Sequence, residues 1–166
     1  MTLLPKTDAG GDFTALIGFI ESGIEHCRSG RWDKGVEYLR YVAEREPRGL
    51  DEAGLFLSYL GCAVARTQGR AIEGLALCEQ AVKVEFYQPE NWANLAEVLV
   101  LCGRRGEAIN AIEQGMDIDS HVGRLQTIRR RLGERRPPIV RFLARSNPVN
   151  HLLGLVRSRV GLSTAH

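Results

Sequence analysis

The chain has 166 residues, 44% hydrophobic and 25% charged, enough for one continuous core and too apolar for wholesale disorder. Its net charge of +2 conceals a split: residues 1–120 hold 12 Lys and Arg against 19 Asp and Glu, while residues 121–166 hold ten Arg against the single acid Glu134. Residues 1–12 lack the apolar run of a secretory signal, and no stretch is long and apolar enough for a bilayer, so a cytoplasmic location is expected.

In chain order, residues 1–12 are expected to be a flexible N-terminus. From Phe13 to Cys27, apolar residues at steps of three and four (Leu16, Ile17, Phe19, Ile20, Ile24) predict an amphipathic helix with Asp12 as its N-cap. Ser29-Gly30 should end it, and a partner helix should run from Trp32 to Glu46, stopped by Pro47 and Gly49. Asp51 or Glu52 is expected to open a third helix carrying Leu55, Phe56, Tyr59, Leu60, Ala63 and Val64, with Thr67-Gln68-Gly69 as its turn. Helices follow over 71–85, 90–101 and 106–116, with Pro89 at a first turn, where its missing N–H costs nothing. No segment alternates with period two, so the fold class is all-α.

Three glycines punctuate this series. Gly30, Gly69 and Gly103 each fall between two predicted helices, and each is followed five residues on by a small residue: Gly35, Gly74 and Ala108. The marks are separated by 39 and 34 residues. A recurring helix pair of this length predicts a solenoid whose units bury their faces only against each other. Gly23, Gly61 and Ala96 on the first helices should face Gly35, Gly74 and Ala108 on the second, letting the paired backbones approach closely.

These positions resemble the tetratricopeptide repeat. The third unit carries the likeness best, through Trp92, Leu95, Ala96, Leu99, Gly103, Ala108, Ile112 and Ile118-Asp119, with Gly115 and Ser120 departing from the pattern. The first unit contributes Phe19, Gly23, Gly30, Trp32, Gly35, Leu39 and Pro47; the second Leu60-Gly61, Val64, Gly74, Cys78 and Ala81. The resemblance covers residues 16–122 and implies a right-handed solenoid of three antiparallel helix pairs. It also implies that the chain binds another protein or peptide on a concave groove lined by the first helix of each pair.

By that spacing the lining would be Ile17, Ile20, Ile24, Cys27 and Arg28 from unit one, then Leu55, Ser58, Cys62, Ala65 and Arg66 from unit two. Unit three would supply Ala93, Glu97, Val100 and Leu101. Ile20 and Ile24 stand where a subclass that grips the C-terminal carboxylate of heat-shock chaperones has Lys and Asn, so the groove is expected to be apolar at its N-terminal end. It would then hold an amphipathic or extended peptide, or be covered by the chain's own segments or by a second copy. A small secretion-type chaperone holding apolar effector segments is the alternative, and the Arg-rich C-terminal region fits it poorly.

After the repeats, His121–Leu132 has Val122, Leu125, Ile128 and Leu132 on one side and reads as a helix closing the open end of the array, which would occupy residues 13–133. Residues 134–166 form a basic tail broken by Pro137-Pro138. Arg135, Arg136, Arg141, Arg145, Arg157 and Arg159 are its candidate contacts, and an amphipathic helix is expected beyond Pro148. Such a tail suits docking on its own array or across a self-associated pair, or an anionic membrane surface. Nucleic acid is disfavoured, since only Phe142 offers a stacking platform.

No catalytic, cofactor or metal site is expected. Cys27, Cys62, Cys78 and Cys102 lack the close spacing of zinc or redox pairs and read as buried thiols. Glu25-His26-Cys27 point about 100° apart around a helix and cannot converge on one substrate.

Overall fold

The computed structural model describes residues 13–45 and 53–133. The chain divides into two units, residues 1–132 and 133–166, and the first holds seven helices among the described residues. These are α1 (Phe13–Arg28), α2 (Trp32–Ala43), α3 (Gly54–Gln68), α4 (Ala71–Val84), α5 (Pro89–Leu101), α6 (Arg105–Ile118) and α7 (Gly123–Leu132). Every predicted helix up to residue 132 is present, with ends that coincide or differ by at most three residues. Asp12, Asp51 and Glu52, expected as caps, lie outside the described residues, as do Pro47, Gly49 and the whole tail with its six arginines.

Turn chemistry accounts for the pairing. Gly30, Gly69 and Gly103 all take positive φ, at 79°, 67° and 72°, a conformation that a side chain opposes. At the first turn the Gly30 N–H donates to the Cys27 carbonyl at 2.9 Å and the Arg31 N–H to the His26 carbonyl at 2.8 Å. At the third, Gly103 donates to Val100 at 3.0 Å and Arg104 to Leu99 at 2.9 Å. Both form the Schellman closure, which satisfies the last carbonyls of one helix while reversing the chain into the next. The arginine after each glycine (Arg31, Arg70, Arg104) then occupies the N-cap position with no side-chain cap hydrogen bond.

Consecutive helices pack as α1/α2, α3/α4 and α5/α6; α3 also packs on α2 and α5, and α7 closes against α5 and α6. Within the central pair the backbones meet: a Cβ on Gly61 would lie 2.6 Å from the Gly74 carbonyl oxygen, and one on Gly74 would strike the Gly61 carbonyl. In the first pair a Cβ on Gly23 would meet Leu39 Cγ at 2.8 Å, and in the third Ala96 and Ala108 are fully buried. Gly115 departs from the repeat pattern for a physical reason. A Cβ there would sit 2.9 Å from both Leu125 of α7 and Trp92 of α5, so the missing side chain makes room for the closing helix.

The core falls into two clusters along the array, with Ile24, Leu39, Val42, Phe56 and Tyr59 in one and Leu95, Leu99, Ile112, Leu125 and Ile128 in the other, and Trp32 packs against both. Between α3 and α5 the core holds a polar knot. The Ser58 hydroxyl donates to Asn91 Oδ1 at 2.7 Å and accepts from Asn94 Nδ2 at 3.0 Å, and all three residues are fully buried. Ser58→Ala leaves both amides short of a partner away from water, and should lower stability by about 1–3 kcal/mol. Urea unfolding checks this; an unchanged midpoint would mean that the amides re-pair without cost.

Candidate functional site

A pocket of about 360 Å³ is lined by Cys27, Arg28, Gly30, Trp32, Tyr59, Arg66, Glu90, Glu97, Val122, Arg124 and Arg131. Its lining comes from the end of α1 and the turn after it, the start of α2, α3, α5, Val122 and two residues of α7. Four guanidiniums thus face two carboxylates.

The two acids are held differently. Glu90 makes a one-to-one pair: Arg28 Nε donates to Oε2 at 3.1 Å and Nη2 to Oε1 at 2.9 Å, in the bidentate geometry that suits the guanidinium fork. The Tyr59 hydroxyl adds a 2.5 Å donation to the same carboxylate. Burial, then the Glu90 hydrogen bond and charge, hold the Tyr59 phenol protonated well above its ordinary range.

Glu97 instead serves two cations. Arg66 Nη1 reaches its Oε2 at 2.5 Å and Arg124 Nε its Oε1 at 3.2 Å, while the Glu97 side chain is only 12% exposed. Burial pushes the carboxyl up, but Arg124 and Arg66 outweigh it and hold the group below the ordinary glutamate range. Arg124 is opposed by burial yet held firmly cationic, chiefly by the Glu97 charge. Both arginines also lie over the Trp32 ring, at 4.6 Å and 5.3 Å from its centroid, and Trp32 stacks on Tyr59 at 6.4 Å. Cation–π attraction therefore fixes guanidiniums that would otherwise sweep a wide volume.

Of the lining expected from sequence, Cys27, Arg28, Arg66 and Glu97 meet in this pocket. Ser58, Cys62 and Ala93 are fully buried and Ile24 nearly so. Ile20 and Leu55 are half-buried against the core, whereas Ile17 and Leu101 are exposed and lie apart from the pocket. Trp32, Tyr59, Glu90, Arg124 and Arg131 were missed. Trp32 and Tyr59 read as packing aromatics, and Arg124 falls on the closing helix outside its apolar side. The seven-residue step from Arg124 to Arg131, two helical turns that put both on one side of α7, is a signal that could have found those two.

The Glu25-His26-Cys27 run does not converge. Glu25 is exposed, the His26 ring packs on Tyr38 at 5.3 Å, and burial pushes the Cys27 thiol up to about 12. Among the described residues no group of three His, Cys, Asp or Glu side chains is placed to hold a metal ion, and no helix is long and apolar enough to cross a membrane. A smaller groove of about 230 Å³ lies between α4, α5 and α6, floored by Trp92, Leu95 and Leu99 and edged by Glu79 and Glu107.

The helix pairs, the glycine-closed turns and the closing helix define the fold of a tetratricopeptide-repeat array. Among solved structures, the chain is similar to the first TPR of Spaghetti (RPAP3) bound to an HSP90 peptide, SRMEEVD. That likeness has a TM-score of 0.56 and 12% identity, and covers 73% of this chain and 92% of that one. No protein-family model and no curated protein matches the sequence.

Proposed function

We propose that the chain is a non-catalytic adaptor that seats an acidic segment of a partner protein in the arginine-lined pocket. The observation that carries this reading is the lining itself, with Arg28, Arg66, Arg124 and Arg131 against only Glu90 and Glu97. The pocket stays net positive after its internal ion pairs form, and a concave wall of one sign focuses its field on an incoming anion. Trp32, beneath Arg66 and Arg124, holds those two guanidiniums in place at the pocket. Support at the level of fold comes from the solved neighbour, whose peptide carries two adjacent glutamates and an aspartate.

Calorimetric titration of the full chain with hexaglutamate, and with hexalysine as its opposite, tests the reading. Hexaglutamate should bind, and weaken as salt rises from roughly 0.03 to roughly 0.3 M; hexalysine should not bind. Because residues 134–166 are also basic, Arg131→Ala locates the seat. Arg131 is exposed at the pocket edge, so its loss should spare stability yet weaken hexaglutamate by about threefold to tenfold. Lys83→Ala, outside the pocket, should change nothing. Equal binding by parent and Arg131→Ala would move the seat elsewhere.

A further inference from the structure

Glu97 occupies the position that an incoming acid needs. Its two oxygens take the edge of Arg66 and the Nε–H of Arg124, at 2.5 Å and 3.2 Å, drawn from α3 and α7 respectively. Glu90, by comparison, is matched one-to-one by Arg28 and closed off by the Tyr59 hydroxyl. The Glu97 cluster is under-neutralised: one carboxylate stands against two guanidiniums, and Arg131 adds a third cation to the same lining.

We propose that Glu97 is a built-in competitor for the pocket, an internal carboxylate that a ligand must displace before its own acid reaches Arg66 and Arg124. The inference rests on the acidic-segment reading above and adds the selectivity of the site. A single carboxylate only exchanges one charge for an equal one, and loses the advantage of a group already tethered in place. A ligand with several adjacent acids replaces Glu97 and also engages Arg131, so its gain exceeds the cost of displacement. The device thus favours clustered acids over isolated ones. Trp32 makes the exchange practicable, because it keeps both guanidiniums stacked and oriented after Glu97 leaves. A ligand so seated also removes the Arg124–Glu97 contact between α7 and α5, while their apolar packing remains.

The test compares the full-length parent with Glu97→Gln, which keeps the size and one acceptor while removing the charge. Hexaglutamate should bind Glu97→Gln about tenfold more tightly than the parent, and acetate should compete in the variant but not in the parent. Binding by the variant alone would also support the inference, as complete occlusion of the parent site. Equal or weaker binding by the folded variant, with the parent still binding, would overturn it and leave the acidic-segment reading standing. Failure of both proteins to bind would remove that reading, and this inference with it. A second readout needs no substitution: carboxyl-carbon NMR follows the Glu97 titration in the parent. Saturating hexaglutamate should raise it into the ordinary glutamate range as Arg66 and Arg124 change partner. A Glu97 titration unmoved at saturation would mean that the ligand seats without displacing it, which overturns the proposal.

Discussion

Gly74→Ala should cost about 3 kcal/mol of stability, because the added methyl group would strike the Gly61 carbonyl. The obstacle is backbone, which cannot rotate aside as the end of a side chain would. Relief requires α3 and α4 to separate, and that loosens a contact also buried by Ala65, whose Cβ would lie 2.8 Å from the new atom. Gly18→Ala is the matched control. Nothing lies within 4 Å of its would-be Cβ, so alanine should raise stability by about 0.5–1 kcal/mol through helix propensity alone. Thermal unfolding of the two variants should move in opposite directions. A Gly74→Ala protein as stable as the parent would contradict backbone-to-backbone packing in the central pair.

Arg124→Ala carries the second large effect. Arg124 is 26% exposed on its side chain, donates to Glu97, and covers Trp32 and Tyr59 at 5.3 Å and 5.7 Å. Its loss leaves Glu97 with Arg66 alone and uncovers the aromatic pair, for about 2 kcal/mol, less than a fully buried ion pair because Arg66 remains. The pH dependence follows from the Glu97 carboxyl, whose folded pKa lies below its ordinary value. Stability from this group is fully present above the unfolded value of about 4.3 and is lost as pH falls through the lower folded value. Parent protein should therefore lose stability on acidification more steeply than Arg124→Ala. Parallel acid limbs in denaturant titrations would show that Arg124 does not hold the Glu97 charge.

The repeat was legible because its determinants are local. A left-handed turn requires glycine and a close helix crossing requires a small residue, so Gly30, Gly69, Gly103 and their partners five residues on declare themselves in one dimension. Gly115 looked like a flaw in the pattern, and only the packing of Leu125 explains it. The pocket was half legible. Arg28, Arg66 and Glu97 were placed in the groove by their register on the first helix of each pair, but the partnerships were hidden. Arg28 meets Glu90 across 62 residues and Glu97 meets Arg124 across 27, separations set by how successive pairs stack rather than by any helical period. Trp32 shows the same limit. As the first residue of α2 it reads as packing, yet the curl of the array sets it beneath two arginines from α3 and α7.

The central claim is that the arginine pocket receives acidic ligands, and side-chain NMR of arginine Nε–Hε groups tests it most directly. On addition of hexaglutamate to the full chain, the Arg28, Arg66 and Arg124 signals and the Trp32 indole N–H should shift together and saturably. Arg40 and Arg45, on the outer side of α2 and its end, should stay still. Shifts confined to arginines beyond residue 133, with the pocket signals unmoved, would contradict the account.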